Sequence, residues 1–231
     1  MPDITITAGD ESFGAYIALP QTTPAPGIVV AQEIFGVNKV MRDICDWLAS
    51  EGFIACCPDI FWRIEPGIQL TDQSDAEWKR AFELFSLFDV DKGIDDLKAT
   101  LAQVRAHPDC TGKVGSIGYC LGGKLAFLMA TRSDADCNVS YYGVGLDELV
   151  GESGAIAKPL LLHVASEDQF FPKEAQEKLK AGVAGNPLVT CQVYEGNDHA
   201  FARIGGAHYD AEAAALANGR SLDLLRESLA S

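Results

Sequence analysis

Positive charge is scarce in this sequence. Eighteen lysines and arginines stand against 33 aspartates and glutamates, a formal net charge of −15 at pH 7. Nucleic-acid binders neutralise phosphates, so this balance argues against that class. It argues equally against an anionic membrane surface as partner. An anionic ligand would have to be held by particular arginines rather than by the overall field. There are only four histidines, and no CxxC pair or HExxH motif, which speaks against a zinc centre. The seven cysteines are odd in number and are expected as reduced thiols, most of them small buried hydrophobes. No apolar run approaches the roughly 18 residues that would span a bilayer. The opening segment, MPDITITAGDESFGAYIALP, has neither the basic start nor the apolar stretch of a secretory signal. These absences lead to an expected cytoplasmic protein with no metal, no cofactor, and neither nucleic acid nor membrane as partner. A monomer is expected rather than an oligomer.

What is present is an ordinary globular composition, 48% hydrophobic and 22% charged over 231 residues, with no repeat, linker or low-complexity tract. It is read as one domain, residues 1–231. Short apolar runs alternate with helical patterns. Gly27–Gln32, Phe53–Cys57, Lys113–Tyr119, Val139–Tyr142, Leu160–Ala165 and Val189–Tyr194 read as strands. Val40–Ser50, Ser74–Phe88, Asp91–Ala106, Leu121–Thr131, Lys173–Ala184 and Ala207–Leu229 read as helices. The alternation predicts an α/β fold with a mostly parallel sheet and helices on both faces. An N-terminal hairpin, Ile4–Thr7 with Gly14–Leu19, is expected to add antiparallel strands. In such sheets sites form at the carboxyl ends of the strands, so reactive residues are sought there.

The strongest signal is Gly118-Tyr119-Cys120-Leu121-Gly122-Gly123, which follows a strand and opens a helix. It has the form G-x-nucleophile-x-G, a sharp turn that lifts Cys120 above the sheet and aims the Leu121 backbone N–H at the same space. Gly118 and Gly122 are expected to relieve crowding in the turn. A second piece is His199 in Asn197-Asp198-His199-Ala200-Phe201, beyond the last strand, where a general base belongs; His107, His163 and His208 do not match that position. A third is Ser166-Glu167-Asp168. An acid here would fix the histidine tautomer, and spacing cannot choose between Glu167 and Asp168. Nucleophile, acid and base then follow in the chain order of α/β-hydrolases. A fourth piece, Gln32-Glu33-Ile34-Phe35-Gly36-Val37-Asn38, follows the first buried strand. Ile34 would supply a second oxyanion N–H, and Glu33 would sit beside the nucleophile.

With these residues in view, the chain resembles the dienelactone hydrolase family (carboxymethylenebutenolidases) of the α/β-hydrolase fold. QEIFGVN, CPD at Cys57–Asp59, GYCLGG, YYGVGL at Tyr141–Leu146 and DHAFAR at Asp198–Arg203 carry the resemblance, which runs over about residues 3–228. It implies a Cys120–His199–Asp168 triad with Glu33 as an extra partner of the thiol. It also implies Arg203 as a substrate-binding arginine. Family members place an arginine, a tyrosine and a tryptophan around residues 78–85. This chain has Trp78, Phe82 and Phe85 there, with Arg80 two positions from the expected arginine, and Ala200 where a serine often follows the histidine. The implied reaction opens dienelactone-type enol-lactones (4-carboxymethylenebut-2-en-4-olide to maleylacetate), as in the degradation of (chloro)aromatics. The substrate is expected to be a small anionic lactone or ester.

An imidazolium beside a thiol favours thiolate, whereas a neighbouring carboxylate disfavours it. A resting thiol that is neutral and slow to react is therefore expected, and the resemblance implies that a substrate carboxylate frees Glu33 from an arginine to activate it. An esterase or thioesterase for another small acyl substrate is the alternative reading. A redox-sensing cysteine protein is the remote one, since no resolving CxxC cysteine is visible.

Overall fold

Every apolar run named above is a strand in the computed structural model, which describes residues 4–230. The chain divides into two units, the first ending at Gly115 and the second running from Ser116 to Ala230. The first holds β1 (Ile4–Ala8), β2 (Glu11–Ala18), β3 (Ala25–Ala31), α1 (Lys39–Ser50), β4 (Ile54–Pro58), α2 (Asp75–Leu87) and α3 (Val90–Arg105). Its strands lie in the order β1-β2-β4-β3. The pairs β1–β2 and β2–β4 are antiparallel and β3–β4 is parallel. The hairpin strands are longer than expected. Gly9, at φ +62, makes a turn that sets Ala8 opposite Glu11, so pairing runs right up to the turn.

Polar caps set where the helices of this unit begin. The Asn38 side chain accepts from Met41 N–H (3.2 Å) to open α1, and Gly52 at φ +97 lets the chain leave it. Ser74 caps α2: its Oγ accepts from Glu77 N–H (3.4 Å) and donates to Glu77 Oε2 (2.9 Å). At α3 the cap is Asp89, which accepts from Asp91 and Lys92 N–H. The helix therefore starts before Asp91, the residue expected to open it.

The strand β5 (Cys110–Tyr119) begins in the first unit and ends in the second. The second unit continues with α4 (Leu121–Arg132), β6 (Asn138–Tyr141), β7 (Leu160–Ala165), α5 (Lys173–Val183), β8 (Val189–Tyr194) and α6 (Ala211–Leu229). Here β5, β6, β7 and β8 are neighbours in that order and all parallel. Successive side chains on a strand point to opposite faces, and that fixes the layers. On β6, Ser140 donates to the Gly123 carbonyl of α4 (2.8 Å), while Tyr141 reaches Asn218 and Ser221 of α6. On β7, Leu160, Leu162 and Val164 join Phe127 of α4 and Leu179 of α5 in one apolar cluster, while His163 meets Ser221 of α6. Both faces of β7 are covered, which explains why all six of its residues are buried.

Two further features differ from the sequence reading. Short 3-10 turns at Leu146–Glu148 and Val150–Ala155 lie in a stretch with no periodic pattern. The last helix starts at Ala211 rather than Ala207, because the Asp210 side chain caps Ala213 N–H (2.8 Å). His208 therefore precedes that helix, with Nδ1 3.1 Å from Asp198 Oδ2.

Two glycines of the second unit should respond oppositely to alanine. A Cβ at Gly123 would lie 2.6 Å from the Tyr141 carbonyl oxygen and 2.8 Å from Gly143 Cα, all backbone, whereas nothing lies within 4 Å of one at Gly219 in α6. Gly219→Ala should raise stability by about 1 kcal/mol, or roughly 2–4 °C in melting temperature. Gly123→Ala should lower it by about 1–3 kcal/mol. Thermal denaturation of both variants tests this pair, and equal responses would contradict it.

Candidate active site

Between Tyr119 at the end of β5 and Leu121 at the start of α4, Cys120 alone makes the turn. Its backbone adopts φ 57, ψ −113, a conformation that costs a non-glycine residue on the order of 1–3 kcal/mol. Hydrogen bonds over-determine it. Cys120 N–H donates to the Tyr141 carbonyl, and Lys124 N–H donates to the Cys120 carbonyl, each at 3.1 Å. Space for the turn comes from the close approach of Gly123 to Gly143, a contact the sequence reading did not single out. Leu121 is fully buried and is the first residue of α4, where backbone N–H groups have no intrahelical acceptor.

The loops after β7 and β8 are zipped together. Ser166 N–H donates to the Tyr194 carbonyl (3.0 Å), Gly196 N–H to Ser166 Oγ (2.8 Å), and Glu167 N–H to the Asn197 carbonyl (2.8 Å). Asp198 closes the join by accepting from Gln169 N–H (3.1 Å) and His199 N–H (2.6 Å). This zipper brings Asp168 Oδ2 to 2.8 Å from His199 Nδ1, while Asp168 Oδ1 accepts from Phe170 N–H. Of the two acids that spacing left open, Asp168 is the one bonded to His199. Glu167 lies at the surface against Lys173 (2.9 Å), which holds its carboxyl below the usual carboxylate range.

His199 is almost fully buried. Burial alone would pull its pKa down, but the charge and hydrogen bond of Cys120 and those of Asp168 outweigh it and raise the pKa to about 10. Nδ1 belongs to Asp168, and Nε2 has no conventional hydrogen bond among the described residues. Nε2 is therefore the nitrogen on which the Cys120 sulfur acts. Within the second unit, Cys120 and Asp168 are the groups that favour the charged imidazole.

Aromatic rings flank this imidazole. Tyr142 and Phe170 meet it edge-on, at 5.2 and 4.9 Å between ring centroids. Tyr142 (φ 38) and Ala200 (φ 63) join Cys120 as the three non-glycine residues with positive φ among those described. All three belong to the turn of the thiol, the residue after the histidine, or the ring against it. Asp198, Tyr142 and Phe170 were not predicted as site residues, although Asp198 and Tyr142 lie in the DHAFAR and YYGVGL motifs. Arg203 is buried, and its N–H donates to the Ala200 carbonyl (2.9 Å).

In the first unit, Glu33 and Ile34 follow β3 and are both buried, so Glu33 is not a surface carboxylate. Their loop is pinned from behind. Leu70 N–H donates to the Phe35 carbonyl (2.8 Å), Asn38 Nδ2 donates to the Leu70 carbonyl (2.9 Å), and a Cβ at Gly36 would strike the backbone of Ile68. Trp78 packs edge-on against Phe35 and stacks on Phe82; Phe82 and Phe85 are each partly exposed, at 45% and 38%. Arg80 pairs with Glu65 and Glu83, so its guanidinium is already committed to two acids of its own unit.

The model of the dienelactone hydrolase family matches residues 13–229. The chain belongs to the dienelactone hydrolase family. It is 56% identical over 234 residues to a protein of Azospirillum brasilense, covering 99% of this chain and all of that one. It is 43% identical over 214 residues to the carboxymethylenebutenolidase of Pseudomonas putida, covering 93% and 91% of the two chains. A crystal structure from Klebsiella pneumoniae matches with a TM-score of 0.84 at 26% identity, covering 96% of each chain. As a member of this family the protein is a hydrolase with the α/β-hydrolase fold, as the sequence motifs predict. No helix among the described residues is long and apolar enough to cross a membrane.

The electrostatics of His199 can be read directly. Its ring should titrate near 10 by NMR, and Cys120→Ala should move the midpoint toward neutrality by removing the largest influence that raises it. A pKa raised on folding stabilises the protein fully below the unfolded value of about 6.5 and loses that contribution as pH climbs through about 10. A wild-type midpoint between 6 and 7 would contradict the ion pair.

Proposed function

We propose that this enzyme opens dienelactone-type enol-lactones, 4-carboxymethylenebut-2-en-4-olide to maleylacetate, through a covalent acyl intermediate on Cys120. The observation that carries the reading is a cysteine on a strained strand–helix turn, coupled to a buried His199 that is itself bonded to Asp168. The Cys120 sulfur attacks the lactone carbonyl carbon. Negative charge developing on the carbonyl oxygen is taken up by the Leu121 and Ile34 N–H groups. The ring C–O bond breaks, and the leaving enolate takes up the proton that Glu33 received. His199 then removes a proton from water, which attacks the thioester, releases the dicarboxylate and restores the thiol.

Arg203 holds the substrate carboxylate in this account. Glu33 is the switch: once a substrate carboxylate draws its arginine away, Glu33 takes the proton that Cys120 shares with His199, leaving a thiolate beside a neutral imidazole. Trp78, Phe82, Phe85 and Ala200 shape the remainder of the pocket, and Arg80 contributes if substrate displaces Glu65 or Glu83. The enzyme acts as a cytoplasmic monomer without cofactor or metal. The commitment of Arg80 to those acids, with phenylalanines in the 78–85 stretch, favours a second reading: an esterase or thioesterase for another small acyl substrate.

Two variants test these roles. Cys120→Ala should cut turnover of cis- and trans-dienelactone by about 10⁴- to 10⁶-fold with the fold intact, and a variant retaining a tenth of wild-type activity would rule out this nucleophile. A guanidinium–carboxylate contact in a partly buried pocket is worth roughly 1.5–3 kcal/mol. Arg203→Ala should therefore lower kcat/KM for the anionic lactone about 10- to 150-fold and for a neutral aryl ester much less. Equal losses on both substrates would make Arg203 a structural residue and favour the esterase reading.

A further inference from the structure

Behind the His199 loop lies a buried polar cluster that none of these reaction steps uses. His163 on β7 is almost fully buried, with Nδ1 2.8 Å from the Tyr194 hydroxyl of β8 and Nε2 2.9 Å from Ser221 Oγ of α6. Arg220 donates to the Tyr194 hydroxyl oxygen (3.2 Å), and Ser221 donates to the Ala217 carbonyl (3.0 Å). The Tyr141 hydroxyl lies 2.7 Å from Ser221 Oγ and 2.9 Å from Asn218 Oδ1. Each ring nitrogen faces a hydroxyl that can donate or accept, so a neutral imidazole is satisfied on both sides. His163 is neutral: burial and, secondarily, the Arg220 charge lower its pKa to about 3.

Two routes run from this cluster to the reacting imidazole. One is through backbone: Tyr142 N–H donates to the His163 carbonyl (2.8 Å), and the Tyr142 ring abuts His199. The other is through rings: Tyr194 stacks on Phe201 at 4.7 Å, and Phe201 meets Tyr142 edge-on at 5.5 Å. Phe201 follows the strained Ala200, and Tyr142 is itself strained. Strained backbone persists only where its surroundings over-determine it. A polar network in which both ring nitrogens have hydroxyl partners does that better than apolar packing, which can slide.

We propose that the His163–Tyr194–Ser221 cluster is a clamp that holds the Tyr142 and Ala200 backbones and so fixes where the His199 ring stands relative to Cys120. His163, Tyr194 and Ser221 are positioning residues on this view; none touches the substrate. The inference rests on the reading that Cys120 and His199 carry the reaction.

Tyr194→Phe and Ser221→Ala each remove one hydroxyl and keep the packing. The groups that act on His199 are Cys120 at the start of α4, Asp168 after β7, Asp198 through the adjoining backbone, and the Tyr142 and Phe170 rings. A shift in its titration therefore reports displacement against Cys120 and Asp168. Measured on aryl-ester hydrolysis, and normalised to the Cys120 sites that iodoacetamide labels, kcat should fall about 10-fold in each variant with KM within about threefold, since small misplacements are costly. The His199 NMR midpoint should drop by about 0.5–1 unit. Wild-type kcat per site and a wild-type midpoint in both variants, whatever their melting temperatures, would overturn the clamp. Should Tyr194→Phe not fold, Ser221→Ala carries the same test. If Cys120→Ala kept its activity, the nucleophile reading would fail instead, and the His199 midpoint would still report on the clamp.

Discussion

The arrangement of the second unit depends on one constraint, the left-handed backbone of Cys120. A residue that must turn from strand to helix on its own needs a glycine close behind it, a neighbouring strand to accept its N–H, and a helix that begins at once. Gly123, the Tyr141 carbonyl and Leu121 supply these three. Because the helix begins at once, the thiol and the first free amides of α4 share one small volume, which suits an atom developing negative charge. The same strand that accepts the Cys120 N–H continues into Tyr142, whose strained backbone sets its ring against His199. Strain at the thiol and strain at the wall of the base are thus consecutive consequences of one strand end.

Two buried histidines in this unit have opposite charge preferences, and their neighbours explain why. His163 faces hydroxyls and a nearby arginine, with no acid bonded to it, so burial prevails and the ring stays neutral. His199 faces a carboxylate on one nitrogen and a thiol on the other, and their combined pull outweighs a comparable burial. Their effects on stability have opposite signs. The depressed pKa of His163 contributes stability present above about 6.5 and lost as pH falls toward about 3. The raised pKa of His199 contributes stability that is lost on the alkaline side. One ring is suited to holding a shape and the other to moving a proton.

Much of this was legible in the sequence because local rules carry it. The bounds of β7 and β8 are legible to the residue: β7 is an almost wholly apolar run between Pro159 and Ser166, and β8 is rich in β-branched and aromatic residues and ends at Glu195-Gly196. The elbow was legible because glycines, a nucleophile and the strand–helix context occur together within six residues. What was not legible depends on long-range contacts. Gly123 is required by an approach to Gly143, and Asp198 matters because two loops far apart in the chain meet over it. His163 does not match the position of a general base, and only its partners on β8 and α6 give it a place in a network. The start of α6 was misplaced because the alanine-rich pattern extends past the real cap at Asp210. The position of Arg80 was uncertain by register, and its pairing with Glu65 and Glu83 depends on side-chain contacts that spacing does not encode.

The central claim is that the carbonyl carbon of the substrate becomes bonded to Cys120. Rapid-quench peptide mass spectrometry during turnover of an aryl ester, with a His199→Ala variant beside the wild type to slow release of the acyl group, tests it most directly. The account predicts an acyl group on the peptide that contains Cys120, transient in the wild type and persistent in the variant. An acyl group on a different residue, or turnover with no adduct at any time in either protein, would contradict it.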